Sequence, residues 1–305
     1  MKIVITLIAL LCGIEAFGYN IDVIQTVAHP ALDNTYKGII DKLASENIKP
    51  NIKFANAQGD LVLSNQIAQK FISEKPDAII SIATLASQSV VNANRNSDIP
   101  VIFSSVTDPK EAGLLKDNAE VTGVSNFIPL DEQLKLFKEI LPNLTRLGII
   151  YNPGEVNSIK ILAHLKEIAV QYNIEIIAAT ASKTTEVSSS INKLIGNVDA
   201  VFISNDNTAL SAFGTIARIS LENEIPVFVS DTDMVEYGAL AALGPNQYEL
   251  GKQTAEIVMR VLKGEKAKTI AVEYPKTIEL VINEKISEKL GVKFSKEILD
   301  RAKKL

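Results

Sequence analysis

Short polar clusters follow the β-branched runs of this chain, and their chemistry differs between its two halves. Thr84, Ala86 and Ser87 follow one run, and Ser105 and Thr107 follow another. Both clusters offer hydroxyl donors and bare amides at the start of a helix or turn. Such donors, together with the positive end of a helix, suit an anion such as a carboxylate. In the second half the equivalent places hold Asn152 and Glu155, then Asp206, then Asp231. Carboxylate and amide oxygens accept hydrogen bonds, as an ammonium group requires. His29 follows the first run and is expected to line the same cleft. Donors on one wall facing acceptors on the other match an α-amino acid. Taken singly, Ser, Thr, Asn and Asp are also the preferred helix N-caps. The contrast between the halves is what carries the reading.

Catalysis finds little support. The chain has two histidines, His29 and His164, and His164 falls within a helical run. No H-x-x-x-H or cysteine cluster offers a zinc site. A G-x-S-x-G elbow and a phosphate-binding G-x-x-x-x-G-K-[ST] loop are both absent. Asp206 and Asp231 as an acid–base pair are the one enzymatic alternative. No enzyme activity, cofactor or metal is expected.

These clusters need elements to place them at one edge. Short β-branched runs alternate with segments of helical period, which predicts parallel sheets covered by helices. The first series has strands at Ile21–Val27, Ile52–Ala55, Ala78–Ala83 and Val101–Ser104. The second has strands at Leu147–Tyr151, Ile174–Ala178, Ala200–Ser204 and Val227–Ser230. Asp77-Ala78-Ile79-Ile80-Ser81-Ile82 is echoed by Asp199-Ala200-Val201-Phe202-Ile203-Ser204. Ile99-Pro100-Val101-Ile102-Phe103-Ser104 is echoed by Ile225-Pro226-Val227-Phe228-Val229-Ser230. Two echoes in the same order predict an α/β fold of two Rossmann-like lobes with parallel sheets, joined by a multi-strand hinge. In such sheets ligands sit beyond the carboxyl ends of the strands. The expected lobes are 19–126 with about 240–275, and 127–239 with about 276–305. Thr269–Val272 reads as a further strand in the tail.

The first eighteen residues stand apart. Lys2 precedes an apolar run from Ile3 to Leu11, and small residues follow at Ala16 and Gly18. That is the form of a signal peptide cleaved after Gly18, too short to span a bilayer. The expected location is periplasmic, or otherwise exported. Cys12, the only cysteine, is the less favoured alternative as a lipid anchor, because Leu11 precedes it where a small residue is wanted. A net charge of -5 argues against nucleic acid as a partner. A mature chain without thiols suits an oxidising compartment. The mature protein is expected to be a monomer, peripheral to the membrane.

Several runs then resemble one known family. They are His29-Pro30-Ala31-Leu32-Asp33, Asn56-Ala57-Gln58-Gly59-Asp60, Ser104-Ser105-Val106-Thr107-Asp108-Pro109, Tyr151-Asn152-Pro153-Gly154-Glu155-Val156-Asn157-Ser158, Asp206-Asn207-Thr208 and Gly238-Ala239-Leu240-Ala241. In this order they resemble the ABC transporter substrate-binding proteins of the tryptophan/tyrosine-uptake type. The resemblance implies a periplasmic-binding-protein fold of the first type, closing on its ligand. It also implies an ABC permease and its ATPase as partners. One departure is Ser230-Asp231-Thr232-Asp233, where a glutamate-containing segment is expected. The expected function is an extracytoplasmic solute-binding protein for a small zwitterion, an amino acid, aromatic ones included. A sugar binder, or a sensor component on the same fold, is the alternative. The sugar reading is weakened by the absence of tryptophan, on which sugar faces commonly stack.

Overall fold

The computed structural model describes residues 18–116 and 118–305. The leader expected at residues 1–18, with Cys12, therefore lies outside the described residues except for Gly18. Strand β1 (Asn20–Gln25) buries every residue after its first, which requires helices on both faces of its sheet. Helix α1 (Pro30–Ser45) begins with proline, whose missing N–H costs nothing at that position. Next come β2 (Asn51–Asn56), α2 (Leu61–Glu74), β3 (Ala78–Ile82), α3 (Thr84–Ala93), β4 (Val101–Val106) and β5 (Val121–Ser125). The five strands form one parallel sheet in the order β2-β1-β3-β4-β5.

The second lobe repeats this plan. It runs through α4 (Leu130–Ile140), β6 (Arg146–Tyr151), α5 (Val156–Ala169), β7 (Glu175–Thr180), α6 (Val187–Leu194) and β8 (Ala200–Ile203). Then follow α7 (Asn207–Ser211), α8 (Phe213–Glu222), β9 (Val227–Val229) and β10 (Ala241–Gly244). Strand order β7-β6-β8-β9-β10 matches that of the first sheet, with β11 (Glu279–Ile282) and β12 (Lys303–Lys304) added beyond β10. The repeated aspartates have one structural role. Asp77 accepts from the Asn20 N–H at 2.7 Å, and Asp199 accepts from the Thr145 and Arg146 N–H groups at 2.9 and 2.8 Å. Each ties the start of its lobe's first strand to the third strand.

The chain passes between lobes after β5, after β10 and again before β11. Helix α9 (Gln247–Leu262) returns to the first lobe, where it packs on α1 and β4. Glycines allow that close approach: a Cβ on Gly38 would lie 2.0 Å from the Tyr248 carbonyl oxygen, and one on Gly251 2.1 Å from that of Thr35. Two expectations change here. The tail strand β10 pairs with β9 of the second sheet, so the chain crosses near Gly244–Asn246 and not at 240. No strand forms at Thr269–Val272; residues Ala267–Thr269 make a 3-10 turn, and only Glu273 bridges to Val124 of β5. The closing helices are α10 (Glu284–Leu290) and α11 (Lys296–Arg301).

Candidate functional site

The carboxyl ends of the first sheet are shaped by two strained residues. Ala83 has φ 69° and ψ 170°, a region that only glycine enters without cost. This turn lets β3 pass at once into α3, whose first residue, Thr84, borders the gap between the lobes. Among the described residues the Thr84 hydroxyl there has no partner. Ser105 has φ 56° within a bulge of β4, and bulges re-aim side chains. Its hydroxyl donates to Gln247 Oε1 at 2.8 Å. Replacing Ala83 with glycine is expected to raise stability by about 1 kcal/mol, measurable as an increased urea midpoint.

Carboxylates in the second lobe have structural duties. Asp206 is fully buried and caps α7, accepting from the N–H groups of Asn152 (2.6 Å) and Ala209 (2.7 Å) and from the Ser158 hydroxyl (2.7 Å). Burial and the Glu155 charge push it up to about 7 against those donors. Glu155 accepts from the N–H groups of Asn207 and Thr208 and from the Asn207 amide. The Asp206→Ala variant leaves buried donors unpaired and is expected to cost about 3 kcal/mol or more in stability. Denaturant unfolding of the variant measures it.

The lobes stand closed on one another. Asn205 Nδ2 donates to Thr107 Oγ1 at 3.3 Å, Asn34 to Asp233 at 2.8 Å, and Lys160 pairs with Glu111 at 2.6 Å. Between them lies a narrow gap, bounded by His29, Leu32, Thr84, Ser105, Thr107 and Asn126 of the first lobe. Asn157, Asn205, Asn207, Leu210 and Asp231 bound it from the second lobe, with Gln247 at the start of α9. Asp231 is 2% exposed, and desolvation, with Asp233 nearby, pushes it up to about 7 although the Gln247 amide donates to it. The Gln247 oxygen accepts from Ser105 and from Thr35 (3.1 Å), so one chain of bonds links both lobes to the acid.

A second space adjoins the first and shares Thr84, Thr107 and Asn157 with it. Its wall is mainly apolar, from Ala112, Phe127, Leu130, Val156 and Ile161, with Glu111 and Lys160 at its rim. Among the described residues no cluster of His, Cys, Asp and Glu could hold a metal ion, and no helix is long and apolar enough to cross a membrane.

Of the residues singled out in the sequence, His29, Thr84, Ser105, Thr107 and Asp231 meet around the narrow gap. Asp206 does not reach it, for the reason given above. Ala86 gives its N–H to the Thr26 hydroxyl, and the Ser87 hydroxyl bonds within its own turn to Ala83 and Ser81. Asn152 and Glu155 lie at an outer mouth of the cleft instead. Asn126 and Gln247 were missed. Both stand at crossovers, and the only local signal was the Asn246 cap, which accepts from the Glu249 N–H.

The family model for the ABC transporter substrate-binding protein matches residues 20–305. A tyrosine-binding protein of Clostridioides difficile is 37% identical over 273 residues, covering 87% of this chain and 79% of that protein. A crystal structure of an ABC domain in complex with L-Trp, from Streptococcus pneumonia, is 34% identical. It superposes with a TM-score of 0.88 over 93% of this chain and 99% of that one. The ligand-free, open structure of a substrate-binding protein with adhesive properties from Clostridium difficile is 33% identical, over 94% of this chain and 99% of that one, but its TM-score is 0.69. At nearly equal identity, the better superposition on the ligand-bound structure accords with the closed lobes. The chain belongs to the ABC transporter substrate-binding protein family.

Proposed function

We propose that this protein captures an α-amino acid with a bulky apolar or aromatic side chain outside the cytoplasm and delivers it to an ABC permease driven by its ATPase. The observation that carries the reading is a polar gap beside an apolar one, with Thr84, Thr107 and Asn157 bordering both. In this reading the ligand carboxylate meets the start of α3, where the Thr84 N–H and the Thr84 and Thr107 hydroxyls donate to it. Its ammonium faces Asp231, the acid at that space without a structural duty comparable to that of Asp206. Its side chain enters the compartment of Phe127, Leu130 and Ile161. The two relatives named for tyrosine and L-Trp support the side-chain class. No chemical step is assigned to the site. The leader at residues 1–18 would send the chain out of the cytoplasm.

Selectivity follows from charge burial. A buried ion without a partner is costly, so a ligand lacking either charge leaves part of the cleft unsatisfied. Calorimetry with L-tryptophan, tryptamine and indole-3-propionate tests this. L-Tryptophan is expected to bind at least about a hundredfold more tightly than either analogue, a difference of about 2.7 kcal/mol. Equal affinity for the three would contradict the reading, as would stronger binding of a sugar.

A further inference from the structure

Glu155 organises more than the start of α7. A carboxylate only accepts, so the Asn207 amide must turn its NH2 group to Glu155 Oε2 at 2.7 Å. Asn207 Oδ1 is thereby the atom left 3.4 Å from His29 Nε2, across the gap between the lobes. An oxygen in that place requires Nε2 to carry the ring hydrogen. His29 is 4% exposed, and its burial pushes the imidazole down to about 4, so the ring is neutral at pH 7. Nδ1 then holds a bare lone pair, and this buried atom has no partner among the described residues. Asn126 Oδ1, on a residue bordering the same space, is a second buried acceptor without a donor. Buried polar atoms are rarely left unpaired, and two acceptors around one gap mark the place of absent donors.

We infer that His29 is a specificity-determining residue, held in its Nε2–H tautomer by the Glu155–Asn207 relay so that Nδ1, with Asn126 Oδ1, accepts hydrogen bonds from the ligand's amino group. The inference rests on the amino-acid reading above. A primary ammonium has three N–H bonds, and Asp231 does not use them all. His29 and Asn126 take the remainder, which favours primary amines over N-methylated ones. The relay crosses from the second lobe to the first, so the tautomer is completed only when the lobes close. Closure and recognition of the amine are thereby the same event. The relay also gives Glu155 a role in binding without contact with the ligand: it is a positioning residue.

The test uses protein labelled with ¹⁵N at histidine, studied at pH 7, with the His29 ring signals identified by their absence from His29→Gln. With saturating L-tryptophan, Nε2 is expected to show the attached hydrogen, and the unprotonated Nδ1 signal to move as it accepts a bond. His29→Phe is expected to weaken binding about tenfold or more, and His29→Gln, which keeps an acceptor, to recover part of that loss. Asn207→Ala should return the ring to a mixture of tautomers. A ring found as Nδ1–H in the complex overturns the inference, as does His29→Phe binding as well as His29→Gln. If L-tryptophan and the other amino acids fail to bind the unsubstituted chain, the amino-acid reading itself falls. If they bind and Nδ1 carries the hydrogen, only the role of His29 falls.

Discussion

Asp231→Asn is expected to weaken L-tryptophan binding at least about a hundredfold at pH 8 and, in the same protein, to stabilise the ligand-free chain. Loss of a buried charge partner for an ammonium costs about 3 kcal/mol or more, which sets the size of the first effect. The second has the opposite sign. Burial raises this carboxyl from 3.8 to about 7. Between those values the folded chain holds a proton that the unfolded chain has lost. Asp231 therefore adds stability below pH 4, and that contribution is lost as the pH rises through about 7. At about 1.36 kcal/mol per unit the ionised acid costs up to roughly 4 kcal/mol at pH 8. Opening of the lobes rehydrates the acid, so that figure is an upper bound. Asparagine keeps the bond to Gln247 and carries no charge, so the gain appears at pH 8 and fades toward pH 4. Urea unfolding at the two pH values, beside calorimetry, separates the effects. A variant that loses affinity and stability together would make Asp231 a structural acid like Asp206.

Gly38→Ala is expected to lower stability by about 3 kcal/mol or more, with Gly251→Ala similar, since overpacking against rigid neighbours costs 1–3 kcal/mol and sometimes more. The obstacle in each case is backbone: the carbonyl of Tyr248 at 2.0 Å from one added carbon, and that of Thr35 at 2.1 Å from the other. A flexible side chain could swing aside, but a helix carbonyl cannot. The helices α1 and α9 must separate, which pulls Gln247 away from Thr35 and loosens the bond chain to Asp231. Affinity should therefore fall along with stability. Thermal unfolding with and without L-tryptophan reads both. An unchanged midpoint would mean that the two helices can part without cost.

Much of this arrangement was legible in the chain because local pattern and global plan agree. The Asp77 and Asp199 echoes mark the same tie between first and third strands, so the duplication visible in the sequence is the duplication of the sheets. The hydroxyls at the ends of β3 and β4 were legible as a cluster, and Thr84, Ser105 and Thr107 all border the gap between the lobes. Asp206 misled because cap and ligand acceptor use the same atoms. Only the positions of Asn152 and Ser158, brought in from β6 and α5, show that its oxygens are taken. Strand β5 was missed because its Thr122, Gly123 and Ser125 carry no apolar alternation, although all three are buried. Gln247 and Asn126 escaped because their value comes from where the crossovers bring them, which no spacing along the chain records.

Every reading of the cleft depends on where a bound amino acid places its two charges. A crystal structure of the mature chain with L-tryptophan measures that directly. The ligand nitrogen should lie within about 3 Å of an Asp231 carboxylate oxygen, the usual reach of an N–H···O bond. The carboxylate should sit at the start of α3 beside Thr84, and the indole among Phe127, Leu130 and Ile161. An L-tryptophan bound outside the lobes, or one whose nitrogen leaves Asp231 without a partner, would contradict the account.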